Sequence, residues 1–190
     1  YYFNEAQMQF AISDTLNALE YALGSSQTHW GSLRAKMGHP EPFSLKYLEI
    51  GNENSGTEYE ACFNRIREAV LERYPQIIIV SNTRSETIKT DIVDDHYYNM
   101  PEFFAENIDT YDDYSRKNPN IFVGEFAVNQ TYEGQLRAAI SEAMFMVGFE
   151  RNQDVVKLCS YAPLFSHVHY QSWYPNLIMF DNSRSYVIPS

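Results

Sequence analysis

Three short stretches carry residues able to do chemistry: "GNEN" (Gly51–Asn54), "DDHYY" (Asp94–Tyr98) and "GEF" (Gly124–Phe126). Each sits at or just after an apolar run short enough for a strand. Two of them contribute a glutamate, Glu53 and Glu125. Paired carboxyl groups are what cleavage of a glycosidic bond needs: one stays protonated and donates to the leaving oxygen, while the other, ionised, attacks the anomeric carbon or activates water. A separation of about 5–5.5 Å gives retention and roughly 6.5–9.5 Å gives inversion, a distinction no sequence carries. Asn52, beside Glu53, is a suitable donor to a sugar hydroxyl. His96 and Tyr98 lie two residues apart on one strand, so they share a face and could hold Glu125 ionised and aimed.

Each residue also has a plainer reading. A Glu after a strand is often only a favourable charge near a helix N-terminus. A single His is more often a hydrogen-bonded packing residue. "DDH" suggests a metal cluster, yet Asp94 and His96 would share one face while Asp95 takes the other, with no second His on that element; a metal is not expected. The rings of "HYQSWYP", which include Trp173, suit either loop packing or a sugar platform.

The elements that must position these residues follow from periodicity. "NEAQMQFAISDTLNALEYAL" (residues 4–23) places Met8, Ile12, Leu16, Leu19 and Leu23 at helical spacing before Gly24. A Gly-, Ser- and Pro-containing loop leads to a strand at Ser44–Ile50. Thr57 and Glu60 predict a capping box for a helix whose Tyr59, Phe63, Ile66, Val70 and Tyr74 share a face, ended by Pro75. Further strands are predicted at Ile77–Asn82, Ile92–Tyr98, Asn120–Ala127 and Val155–Ala162, the last of the chain. Between them fall a short helix at 84–90, a helix from Pro101 to about Lys117, and one over 133–152 with Leu136, Ile140, Ala143 and Val147 on one stripe. Five strands alternating with helices indicate an α/β fold with a parallel sheet and right-handed crossovers. Periodicity alone leaves open whether that sheet is doubly wound or part of a (β/α)8 barrel. In either, sites form at the carboxyl ends of the strands.

The totals exclude some classes. With 190 residues and 44% hydrophobic content the chain can bury a core, and it reads as a single domain. A formal charge of -11, with 14 basic residues in no block, argues against nucleic acid as partner. No stretch approaches the roughly 18 apolar residues of a membrane span, and "YYFNEAQ" lacks the pattern of a signal peptide. Such a peptide could have preceded Tyr1. Cys62 and Cys159 lack metal spacing and read as buried small apolar residues.

These stretches, together with "WGSLRAKMGHPEPFSLKYLEIGNEN", "ERNQDVVKLCSYAPLF" and "WYPNLIMFDN", resemble the α-L-arabinofuranosidases of glycoside hydrolase family 51 over nearly the whole chain. The resemblance implies a partial (β/α)8 TIM barrel, about strands 4 to 8 with intervening helices, lacking the first strands and the last helix. It implies Glu53 as general acid/base, Asn52 as substrate-binding amide and Glu125 as nucleophile of a retaining exo-acting enzyme. His96 and Tyr98 would line the furanose pocket and orient the nucleophile, with Trp173 as a wall. Arabinose-containing polysaccharide or oligosaccharide would be the partner, no cofactor or metal is implied, and an extracellular or periplasmic location is expected. The first three barrel strands of the family, which bring further sugar-binding residues, and its C-terminal β-sandwich are not seen here. Open sheet edges would then call for a homo-oligomer to cover them, or leave a fragment of compromised activity. Two other readings stand: another glycosidase of the same clan, such as a β-glycanase, and a non-catalytic sugar-binding or assembly module.

Overall fold

Helix α1 (Glu5–Leu23) begins where Asn4 accepts the Gln7 N–H and the Gln7 side chain accepts the Asn4 N–H, a reciprocal cap. The computed structural model describes residues 3–189 and forms two units, one running to Val93 and the other from Asp94. In the first unit the apolar stripe of α1 meets that of α3 (Thr57–Arg73): Met8, Leu19, Phe63, Ile66, Val70 and Ile79 are buried together. Strands β1 (Tyr47–Ile50) and β2 (Ile78–Ser81) pair in parallel, and β2 pairs in parallel with the first residues of β3 (Ile92–Asn99). The crossover between β1 and β2 is α3. This is the βα unit the periodicity predicts.

A second helix, α2 (His29–Lys36), lies in what reads from sequence as a loop. Thr28 caps it by accepting the Gly31 N–H. Its eight residues have no apolar stripe; a polar group holds it instead. Arg34 is fully buried, and its guanidinium donates to the carbonyls of Tyr21 (2.7 Å), Ala22 (3.4 Å), His39 (3.0 Å) and Pro40 (3.1 Å). Two of these carbonyls belong to the last turn of α1, where no intrahelical donor remains. Arg34 therefore ties the end of α1 to the segment leading into β1.

Strand β1 stops at Gly51, whose φ is +95°. An added Cβ there would lie 2.6 Å from the Tyr59 ring and 2.8 Å from Asn82 Oδ1, so only glycine fits both the backbone and the space. Around it, Tyr59 Oη donates to the Ile50 carbonyl (2.7 Å), Asn54 Oδ1 accepts the Asn52 N–H (3.0 Å), and Asn82 Nδ2 donates to the Asn54 carbonyl (2.8 Å). Burial pushes the Tyr59 phenol up to about 12, which keeps it a donor.

In the second unit β3 neighbours β4 (Asn120–Val128), which pairs in parallel with β5 (Val156–Tyr161). Helices α4 (Pro101–Glu106) and α5 (Leu136–Arg151) cover this sheet through an aromatic cluster of Phe104, Phe126, Phe145 and Phe149, with the Phe145 and Phe149 rings 4.7 Å apart. A three-stranded sheet of β6 (Phe165–His167), β7 (Ile178–Phe180) and β8 (Ser185–Val187) follows, so β5 is not the last strand. Among the described residues no helix is long and apolar enough to cross a membrane.

Several expectations are corrected. The N-cap of α3 is Gly56, at φ +90°, and it makes no side-chain cap bond; Thr57 is already helical and its hydroxyl donates to Glu58, while Glu60 accepts from Thr87. No helix forms over 84–90, where Ser85 and Thr87 side chains bond locally and compete with a helical backbone. The helix from Pro101 ends at Glu106, and Asn107 and Thr110 turn their side chains onto nearby carbonyls. On α5 the buried stripe is Ala138, Ser141, Glu142, Phe145, Gly148 and Phe149, whereas Leu136, Ile140 and Val147 are exposed. Apolar residues ring this helix, so spacing alone could not select the face. Cys159 is exposed on β5, whereas Cys62 is half-buried and packs against the core of the first unit; both are free thiols.

Three substitutions at two positions test these local devices. Arg34→Ala is expected to destabilise the fold by about 3 kcal/mol, since it orphans buried carbonyls. Arg34→Lys should recover only part of that, because one ammonium cannot span four acceptors. Gly51→Ala should cost about 1–3 kcal/mol from the positive φ and the crowded Cβ. Urea denaturation of each variant checks all three; a Gly51→Ala midpoint equal to the unsubstituted protein's contradicts the turn assignment.

Candidate active site

The second unit brings three of the candidate site residues, Glu125, His96 and Tyr98, together with Asp94. Alternation along β3 puts Asp94, His96 and Tyr98 on one face. Tyr98 Oη donates to Glu125 Oε2 at 2.6 Å, and His96 Nδ1 lies 3.6 Å from the same oxygen. The other ring nitrogen, Nε2, is 2.9 Å from Asp94 Oδ2. The Glu125 side chain keeps 31% of its accessible surface, His96 12% and Asp94 3%. Exposure thus falls step by step from the group that could meet a ligand to the one that supports it.

Glu125 is aimed by an irregularity in its strand. Val123 lies opposite Cys159 and Phe126 opposite Tyr161, so three steps along β4 match two along β5. The extra residue falls at Gly124–Glu125, and a bulge of this kind re-aims the side chain it carries. Strand β4 continues to Val128, so Glu125 lies within the strand rather than beyond its end. Gly124 has a specific reason to be glycine: a Cβ would collide with the Asp94 carboxylate, whose Oδ1 accepts the Gly124 N–H at 2.7 Å.

Asp95, on the opposite face of β3, belongs to the core. Its carboxylate accepts from Tyr111 Oη at 2.7 Å, and Tyr111 and Tyr97 hydroxyls are 2.8 Å apart. Burial, reinforced by the Tyr97 and Asp95 groups, raises the Tyr111 phenol well above its ordinary value and keeps it protonated as the donor.

Asn52 and Glu53 belong to the first unit. Both are exposed in the turn after β1, and Glu53 adopts φ +52°, a left-handed conformation uncommon outside glycine. Glu53 borders a cavity of about 540 Å³ that Glu49, Ile50, Asn54 and Tyr59 also line. The left-handed residue turns the chain sharply between strand and helix and leaves the carboxylate near the strand's carboxyl end. Trp173 stands in the segment between β6 and β7, 55% exposed, with the Asn176 amide donating to its carbonyl at 2.5 Å.

Sequence reasoning placed Asp94 on the face of His96 but gave neither it nor Gly124 a role in the site. The signal for Asp94 was present, because it shares the alternation of His96 and Tyr98. No local signal marked Gly124, whose partner is 30 residues away in sequence.

Comparison with known proteins identifies the family. Residues 2–116 match the family described as α-L-arabinofuranosidase 1 domain, and residues 109–190 match the α-L-arabinofuranosidase C-terminal domain. The extracellular exo-α-L-arabinofuranosidase of Streptomyces chartreusis is 41% identical over 96% of this chain and 24% of its own length. α-L-Arabinofuranosidase 2 of Arabidopsis thaliana is 37% identical over 94% of the chain and 28% of its own length. An arabinose-bound family 51 α-L-arabinofuranosidase superposes with a TM-score of 0.89 at 29% identity, over 97% of this chain and 33% of that one. The Thermotoga maritima enzyme, in complex with arabinose, shares the fold with a TM-score of 0.73 at 19% identity, over 93% of this chain and 44% of that one. The chain therefore spans about a quarter to under a half of the relatives it matches. Its parallel βα units are part of a (β/α)8 barrel, and the chain belongs to the α-L-arabinofuranosidases of glycoside hydrolase family 51.

Proposed function

We propose that this chain carries the catalytic carboxylates of a retaining exo-α-L-arabinofuranosidase, which releases terminal arabinofuranosyl side chains from arabinoxylan or arabinan. The observation that supports it most is the Glu125 carboxylate held by Tyr98 and flanked by His96 on a strand bulge, in a chain of this family. Glu125 attacks the anomeric carbon as the bond to the leaving oxygen breaks, and Glu53 gives that oxygen its proton. A covalent arabinosyl ester on Glu125 results. Glu53, now a carboxylate, takes a proton from water, whose oxygen attacks the same carbon and frees Glu125. The donated Tyr98 hydrogen bond fixes the attacking group in one orientation before substrate arrives, which lowers the entropy cost of reaching the transition state. Asn52 binds a sugar hydroxyl and Trp173 offers an apolar face to the ring. No cofactor takes part. Secretion is part of the reading, since the Streptomyces relative is described as extracellular.

Glu125→Ala is expected to lower kcat on an aryl α-L-arabinofuranoside by about 10⁴-fold. Azide should restore turnover by filling the vacated space and yield the arabinosyl azide of inverted configuration. Glu53→Ala should lose about 10²–10⁴-fold on substrates with poor leaving groups, and far less on a dinitrophenyl arabinofuranoside, which departs without a proton. Steady-state kinetics on a leaving-group series, with aryl glucosides and xylosides as competitors, measures all of this. Undiminished activity of Glu125→Ala without azide removes the nucleophile assignment, and faster hydrolysis of a xyloside removes the sugar assignment.

A further inference from the structure

We propose that Asp94 is the positioning residue of this site, a buried carboxylate that locks the Glu125 bulge through the Gly124 N–H and sets which nitrogen of His96 carries the hydrogen. The inference rests on the reading of Glu125 as nucleophile. A carboxylate with only 3% of its side-chain surface accessible costs several kcal/mol of lost hydration unless hydrogen bonds replace that hydration. Asp94 has such bonds, and both lead toward Glu125. Oδ1 accepts the N–H of Gly124, the residue immediately before Glu125, and Oδ2 meets His96, the ring that flanks the Glu125 carboxylate. The bare Cα of Gly124 makes room for this carboxylate, so the position is built from both strands.

The tautomer follows from donor inventory. An ionised carboxylate only accepts, so the hydrogen in the Asp94–His96 bond belongs to Nε2. Nδ1 then faces Glu125 Oε2 at 3.6 Å, beyond the range of a strong hydrogen bond. In this state the Tyr98 hydroxyl is the close donor at that oxygen, and His96 does not draw further electron density from the nucleophile. Asparagine at position 94 reverses this. Its carbonyl must accept the Gly124 N–H, which leaves its NH2 pointing at Nε2, and the ring answers by moving its hydrogen to Nδ1. An N–H would then face Glu125 and weaken it as a nucleophile, with little change of shape.

The test is long-range ¹H–¹⁵N correlation NMR of the chain labelled at histidine, with His96 assigned by the loss of its signals in His96→Gln, alongside steady-state kinetics on a dinitrophenyl arabinofuranoside. The expected result is an Nε2–H ring in the unsubstituted protein and an Nδ1–H ring in Asp94→Asn, whose kcat falls about 10- to 100-fold with KM within about twofold, as for other residues that orient a reacting group. Gly124→Ala, which pushes the carboxylate away from the other side, should also lose the Nε2–H signature. An Nδ1–H ring in the unsubstituted protein overturns the proposal without recourse to any variant. So does a switched ring in Asp94→Asn with unchanged kcat. A switched ring with no turnover in any form, the unsubstituted protein included, supports the clamp and overturns the hydrolase reading instead.

Discussion

The contact on which the second unit's site depends is that between the Asp94 carboxylate and the backbone of Gly124. It places a fixed anion against a strand at the point where one extra residue is inserted, and the inserted residue pair carries Glu125. Bulges disrupt a ladder and leave an amide in need of a partner; here a side chain from the neighbouring strand supplies it. The same carboxylate reaches His96, so the backbone that carries Glu125 and the ring that flanks it are held by one group. Tyr98 completes the set from the same face of β3. A carboxylate held in this way has few orientations to sample, as the proposed attack on a single carbon requires.

The first unit solves a related problem with a turn instead of a bulge. Gly51 and Glu53 both have positive φ, and the chain between β1 and α3 is held by the Tyr59 hydroxyl and the Asn54 and Asn82 amides. In the same unit α1 and α3 bury an apolar stripe together, and Arg34 anchors the segment that feeds β1. In the first unit two left-handed residues lie at or beside a carboxylate, and in the second a strand irregularity carries one.

Much of the fold was legible because strands and helices with one buried face write their period into the chain. All five strands of the βα units lie within a few residues of the sequence-based expectation, as do α1 and α3. The misses have separate physical causes. Helix α2 has no apolar stripe and depends on Arg34, a polar anchor to carbonyls contributed from outside the helix. The strands of the small sheet are three residues each, too short to show alternation. On α5 apolar residues occur on every side, and only the aromatic cluster of Phe104, Phe145 and Phe149 shows which side faces inward.

By itself the sequence determined the order of the five strands of the βα units, the strand-associated carboxylates Glu53 and Glu125, and the shared face of His96 and Tyr98, because these follow from local period and residue chemistry. Tertiary structure alone decided that the glycine before Glu125 is there to admit Asp94, that β4 carries an extra residue at that point, and that Tyr111 is the partner of Asp95. Those features depend on which strand becomes whose neighbour and in what register. Contacts between residues tens of positions apart set that register, and no window along the chain contains both partners.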